Sequence, residues 1–343
     1  MNQHAALAVC GFSGSGKTTL LEATIPRLIA NGLSIAVVKH DAHGFDVDRA
    51  GKDSDRFFRA GATVALRGPT QQLQRRGASS ALSLEATVAD LARDHDLVLV
   101  EGHKDTRLPK IWLSNESGFP PPAEVSCVLN VLPWNSNRLE IFTSFLETWL
   151  PQVWSARPLF TGILLGENTY SGSDQKLSDF NGRLRREVIA TFPWRSVPPV
   201  PVNNEIHSFP VLLGNGRVPR ALRHAIRLPD PGGLSGPIAP LLAAHRWSPQ
   251  ATWIVSPFDQ PWQSEFDIQG LAEHRRPGVW AVIPIQQDGL PYESFGLFEP
   301  QALNILERAV LERSPNRVRT TDLAGDPHTL TCSWRSLPLS STQ

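Results

Sequence analysis

The segment Gly11-Phe-Ser-Gly-Ser-Gly16-Lys17-Thr18 constrains this chain more than any other. It follows an apolar run at residues 5–10 and precedes a stretch in which Leu20, Leu21, Ile25, Leu28 and Ile29 recur at helical spacing. A strand, a glycine-rich turn and a helix in that order curl the main chain into a ring of amides, with the positive end of a helix dipole behind it. Such a ring holds a polyphosphate: the lysine supplies charge at the β- and γ-phosphates, and the following hydroxyl is a Mg²⁺ ligand. The expected nucleotide-binding residues are Gly11, Ser13, Gly14, Ser15, Gly16, Lys17, Thr18 and Thr19. The motif itself leaves the base open between guanine and adenine.

A phosphate loop of this kind needs an acidic residue on the metal or its water, usually at a strand end. Glu101 closes the run Asp96-Leu-Val-Leu-Val-Glu101 and is followed by Gly102, which permits close backbone approach. Between the two motifs, residues 39–56 carry five acids, two histidines and two lysines, and read as an exposed polar loop near the phosphates. Asp46 and Asp48 are its candidate metal carboxylates. His40 and His43, three apart in a loop, are weak candidates for zinc.

Strand-like runs at 33–38 and 96–100 alternate with helical patterns at 18–30, 84–93 and 137–150. That alternation implies βαβ units and a mostly parallel sheet. A proline-bounded stretch at 151–158 is the expected boundary, dividing the chain into units of 1–155 and 156–343. The second unit repeats an α/β pattern, with strands at 159–165, 252–256 and 279–285 and a helix at 183–191, and the final eight residues read as a frayed tail.

With 33 basic and 33 acidic residues the chain is electrically neutral, which argues against nucleic acid or an anionic membrane as the main partner. Of the basic residues 27 are Arg and 6 Lys; five of the lysines fall within the first 110 positions, where a point charge is useful. Three widely spaced cysteines suit a reducing compartment. No apolar run is long enough to span a bilayer, and no basic segment precedes the first apolar one, so the expectation is a cytoplasmic protein.

The blocks GFSGSGKTTLLEATIPRL, VVKHDAHGFDVDRAGKDSDRFFRAGA and DLVLVEGHKDTRLPKI resemble the MobB family, GTP-binding adapters of molybdopterin guanine dinucleotide biosynthesis. The resemblance covers roughly residues 5–115. It implies a P-loop NTPase fold, GTP as ligand, Mg²⁺ held by Thr18, Asp46, Asp48 and Glu101, and a homodimer. Ala42 and Gly44 stand where the family often has further histidines. The second half is similar to MobA, the molybdenum-cofactor guanylyltransferase, whose fold is of nucleotide-diphospho-sugar-transferase type. Leu228-Pro-Asp230, Gly236-Pro237, Trp253-Ile-Val-Ser-Pro-Phe-Asp259 and Ser294-Phe-Gly-Leu-Phe298 carry that likeness, and Asp259 would be its Mg²⁺ ligand. Its nucleotide loop departs from the pattern. Glu167 replaces a glycine, Tyr170 an arginine, and Gln175 takes the slot of a lysine that is displaced to Lys176. A carboxylate against a triphosphate and a missing guanidinium both oppose binding.

Three readings follow. In the first, a GTP-binding adapter with weak GTPase activity is joined to a degenerate transferase-like domain that docks molybdopterin or a partner such as a MobA-type guanylyltransferase. In the second, the chain is bifunctional and still transfers GMP from Mg·GTP to molybdopterin. In the third it is a small-molecule P-loop kinase, for which Arg75-Arg76 is the one lid candidate in the first half. None of the three assigns a catalytic residue.

Overall fold

The computed structural model describes residues 4–39, 49–77, 82–135, 137–165, 211–218, 225–257, 270–286, 288–313 and 315–333. The first half runs β1 (Ala6–Gly11), α1 (Lys17–Ala30), β2 (Ile35–Lys39), α2 (Asp53–Arg59), β3 (Val64–Arg67), β4 (Gln72–Arg75), α3 (Leu84–Leu91), β5 (Leu97–Glu101), β6 (Lys110–Leu113), β7 (Val128–Leu132) and α4 (Arg138–Ser155). Five strands form one parallel sheet in the order β2-β5-β1-β6-β7. The central strands β1 and β5 are continuous apolar runs because both faces are covered. The hairpin β3–β4 stands apart as a two-stranded antiparallel ribbon.

Two expectations need correction. Residues 53–59, which overlap the end of the stretch read as a polar loop, form a helix; its Asp55 accepts from the Gly51 N–H at 2.9 Å and pairs with Arg59 and Arg75. The Gly51 amide and these guanidinium groups hold the Asp55 carboxyl at about 2. The helix expected to end at 150 continues to Ser155, through Pro151. Phe142, Leu146, Leu150 and Trp154 make one buried stripe at i, i+4 spacing. Burying Trp154 against the core, with its indole N–H on the Asp96 carbonyl, offsets the roughly 3 kcal/mol that an interior proline costs.

The second half contains β8 (Leu159–Leu164), β9 (Val211–Leu213), β10 (Arg227–Leu228), α5 (Ala239–Trp247), β11 (Thr252–Pro257), β12 (Ala281–Ile285), β13 (Gly296–Phe298), α6 (Pro300–Glu312) and β14 (Thr329–Ser333). Its seven strands are ordered β10-β9-β8-β11-β13-β12-β14, with β13 antiparallel to both neighbours and the other pairings parallel. The helix expected at 183–191 and the tail from 336 lie outside the described residues.

The two halves share one apolar core, which passes from Leu7, Val9 and Leu20 through the α4 stripe to Trp253, Trp280 and Phe298. A buried polar seam locks the junction. The Asp96 carboxylate accepts from the Ser34 N–H at 2.7 Å on one side, and from the Gly278 N–H at 2.9 Å and Trp280 Nε1 at 2.8 Å on the other. Beside it Glu299, fully buried, accepts from Arg157, Arg275 and Thr252. Ser34 and Asp96 precede β2 and β5, so the junction lies at the amino ends of the first sheet's strands. Among the described residues no helix is long and apolar enough to cross a membrane.

Candidate functional site

The glycine-rich loop leaves the carboxyl end of β1, opposite the junction. Gly11, its first residue, has no room for a side chain: a Cβ would stand 2.5 Å from Ser15 Oγ and 2.6 Å from the Leu113 carbonyl oxygen. Gly16 takes the left-handed conformation, φ 81°, that turns the chain into α1, and no side chain caps the helix there. The first-turn amides of α1 are therefore left facing outward, as an anion site requires. Ser13, Gly14, Thr18 and Thr19 are exposed on the loop and the first turn, while Ser15 is buried and its Oγ has no hydrogen-bond partner among the described residues.

Lys17 folds back over the loop, donating from Nζ to the Phe12 carbonyl at 2.9 Å and the Gly11 carbonyl at 3.2 Å. Thr18 and Glu101, 83 positions apart, meet across the top of the sheet: Thr18 Oγ1 donates to Glu101 Oε1 at 2.8 Å. The parallel pairing of β1 with β5 causes this, since it aligns Val9 with Glu101 and carries both strand ends to one rim. Lys39, at the end of β2, stands 3.9 Å from the other Glu101 oxygen. A hydroxyl and a carboxylate oxygen side by side are hard donors of the kind Mg²⁺ takes. Among the described residues no three His, Cys, Asp or Glu side chains converge on a metal position. Asp46, Asp48, His40 and His43 lie outside the described residues. Burial pushes the thiol of Cys10, beneath the loop, up to about 11, and its Sγ donates to the Gly102 carbonyl.

Sequence reading missed Arg138, the first residue of α4. Its buried guanidinium donates to the carbonyls of Ser15 at 2.8 Å, Ser114 at 2.7 Å and Pro133 at 2.9 Å. The available signal was a basic residue in the first turn of a helix, where the dipole disfavours a cation. Arg75, the lid candidate, is committed to Asp55 at 3.0 Å and lies over the Phe58 ring. In the second half, Leu165, Gly214 and Asp230 gather at the carboxyl ends of β8, β9 and β10; a Cβ on Gly214 would lie 2.9 Å from the Leu165 carbonyl and 3.6 Å from Asp230 Oδ1. Glu167, Tyr170, Gln175, Lys176 and Asp259 lie outside the described residues.

Residues 6–131 match the family described as Molybdopterin guanine dinucleotide synthesis protein B, MobB. A molybdopterin-guanine dinucleotide biosynthesis adapter protein of Haemophilus influenzae is 36% identical over 169 residues, which cover 46% of this chain and 95% of that protein. The chain belongs to the MobB family. A second MobB-family relative, the adapter protein of Escherichia coli, is 35% identical over 161 residues, covering 42% of this chain and 92% of its own. A solved structure of molybdopterin-guanine biosynthesis protein B (MobB) is 25% identical with a TM-score of 0.34 and covers 42% of this chain and 98% of that one. The MobB part has the P-loop type of α/β fold with a parallel sheet.

Proposed function

We propose that the chain is a GTP-binding adapter in molybdopterin guanine dinucleotide biosynthesis, with residues 1–155 as the nucleotide-binding unit and a weak GTPase activity. The observation that carries this reading is the Thr18–Glu101 contact at 2.8 Å, made on the rim where the glycine loop opens. The loop amides and Lys17 would hold the phosphates. Thr18 and Glu101 would hold Mg²⁺, which takes its other ligands from phosphate oxygens and water and neutralises phosphate charge. Asp46 and Asp48 belong to the same proposal. The adapter names of the relatives support a place in molybdopterin-guanine dinucleotide biosynthesis. Molybdopterin or the molybdenum cofactor, and a MobA-type guanylyltransferase, are the partners of this proposal. The exposed apolar residues Leu129 and Val131 on the edge strand β7 support a homodimer.

Calorimetric titration of the full chain with GTP, GDP and ATP is the test. With Mg²⁺ present, GTP should bind and ATP should bind more weakly. Glu101→Ala should reduce the stimulation by Mg²⁺ about tenfold, the scale of one lost charge-assisted contact. Binding that is indifferent to Mg²⁺ in both proteins removes the metal assignment.

The second unit, residues 156–343, we read as a MobA-like domain of nucleotide-diphospho-sugar-transferase type that docks molybdopterin without efficient chemistry. Its sheet supports this reading. Chain order reverses between the adjacent parallel strands β8 and β11, and open α/β sheets bind ligands beyond the carboxyl ends at such a switch point. Asp230 lies at that end, and Asp259 follows β11 in sequence. Incubating the full chain with α-labelled GTP and molybdopterin should give no guanylate transfer. Labelled dinucleotide together with released pyrophosphate would instead establish the bifunctional reading.

A further inference from the structure

The phosphate loop is backed by a buried cation. Arg138 is 8% exposed, and among the described residues no carboxylate pairs with it. Buried charges ordinarily have a counterion. Here the guanidinium is met by carbonyl oxygens, from Pro133 and Leu132 at the end of β7, Ser114 just after β6, and Ser15 in the loop, and by the Trp134 ring, whose centroid lies 5.2 Å from its Cζ. A Cβ on Gly16 would lie 3.7 Å from Arg138 Nη1, so the fork stands directly behind the turn into α1.

A trans peptide points its C=O and the next residue's N–H in opposite directions. Drawing the Ser15 carbonyl back onto Arg138 therefore turns the Gly16 N–H away from Arg138. Among the described residues that N–H makes no hydrogen bond. The rigid fork is needed for this geometry. Its three nitrogens are spread over four carbonyls, which a lysine ammonium cannot span from one point.

We propose that Arg138 is a positioning residue of the phosphate loop: it fixes the Ser15–Gly16 peptide so that the Gly16 amide faces a bound polyphosphate, and its own charge finds a counterion in that polyphosphate. This rests on the reading of the loop as a nucleotide site. It adds a basic residue from far outside the motif, on the helix that leads to the second half.

The test uses the full chain and Mg·GTP, with Arg138→Met, Arg138→Lys and Lys17→Ala compared by calorimetry. Arg138→Met should weaken GTP binding about tenfold or more and Arg138→Lys by less, because the charge is kept and the fork lost. A merely structural role would not move the Gly16 amide resonance. That resonance should shift on adding GTP to the wild type and shift less in Arg138→Lys, a variant mild enough to remain folded. Wild-type affinity in a folded Arg138→Met, or an unchanged Gly16 response in Arg138→Lys, overturns the proposal while Lys17→Ala still loses binding. Failure of the wild-type chain to bind GTP overturns the nucleotide-site reading, and this proposal with it.

Discussion

Lys17→Ala is expected to weaken Mg·GTP binding by about 100-fold or more while leaving the melting temperature within a few degrees of the wild type. Two effects set the size. The ammonium is the cation that the motif aims at the terminal phosphates, and a charge-assisted hydrogen bond is worth roughly 1.5–3 kcal/mol. Against this, Nζ donates to the Phe12 and Gly11 carbonyls in the folded chain. Those bonds must be exchanged for phosphate contacts, so the net effect is smaller than the gross electrostatic attraction. The fold should tolerate the change because Lys17 packs against the loop rim and not into the core. Calorimetry with GTP and GDP in parallel checks the assignment: the loss should be larger for GTP, because the proposal sets its third phosphate nearest the lysine. Equal affinity in mutant and wild type would remove Lys17 from the site.

The parts of the site that could be read in the sequence are those written in local spacing. Gly11 to Thr18 specify a strand, a turn and a helix start with their own steric logic, and the close approach at Gly11 is why that position must be glycine. Glu101 was legible because an apolar run ending in a carboxylate and a glycine places the acid on the rim of a parallel sheet. Arg138 was not, since its role depends on β6 and β7 bringing the Ser114 and Pro133 carbonyls beneath the loop. Neither of those strands was expected from the sequence. They lie in the stretch between 102 and 136, where Pro, Gly and charged residues interrupt the periodicity. Pro151 misled for the opposite reason: a local breaker signal lost to the burial of Trp154, a tertiary effect.

The junction was the least legible feature, because its partners lie far apart along the chain. Asp96 reads as the polar start of a strand, yet its carboxylate joins Ser34 to Gly278 and Trp280, 62, 182 and 184 positions away. Its placement also fixes how the halves are arranged. The Asp96 seam lies at the amino end of β5, whereas Glu101 and the phosphate loop lie at the carboxyl end. The 18-residue α4, roughly 27 Å long at 1.5 Å per residue, runs from Arg138 beneath the loop to Trp154 beside the seam. Within one chain the second half is therefore attached behind the glycine-rich loop and not over it.

Asp96→Ala is accordingly expected to destabilise the whole chain by about 3–5 kcal/mol, in both halves at once. The substitution strands two backbone N–H groups and an indole N–H in a buried site, at roughly 1–3 kcal/mol each before a water molecule enters the space left behind. Asp96→Asn separates the contributions. Its amide oxygen can keep Gly278 and Trp280, but its NH₂ then opposes the Ser34 N–H, so the expected loss is smaller, about 1–3 kcal/mol. Urea unfolding, followed by tryptophan fluorescence and by far-UV circular dichroism, provides the measurement. Trp280 at the seam is one of ten tryptophans contributing to the fluorescence, and the continuous core from Leu7 to Phe298 calls for one coincident transition that moves to lower urea in the order wild type, Asn, Ala. Two separate transitions in the wild type, or a midpoint unmoved by Asp96→Ala, would mean that the halves fold independently and that this carboxylate does not join them.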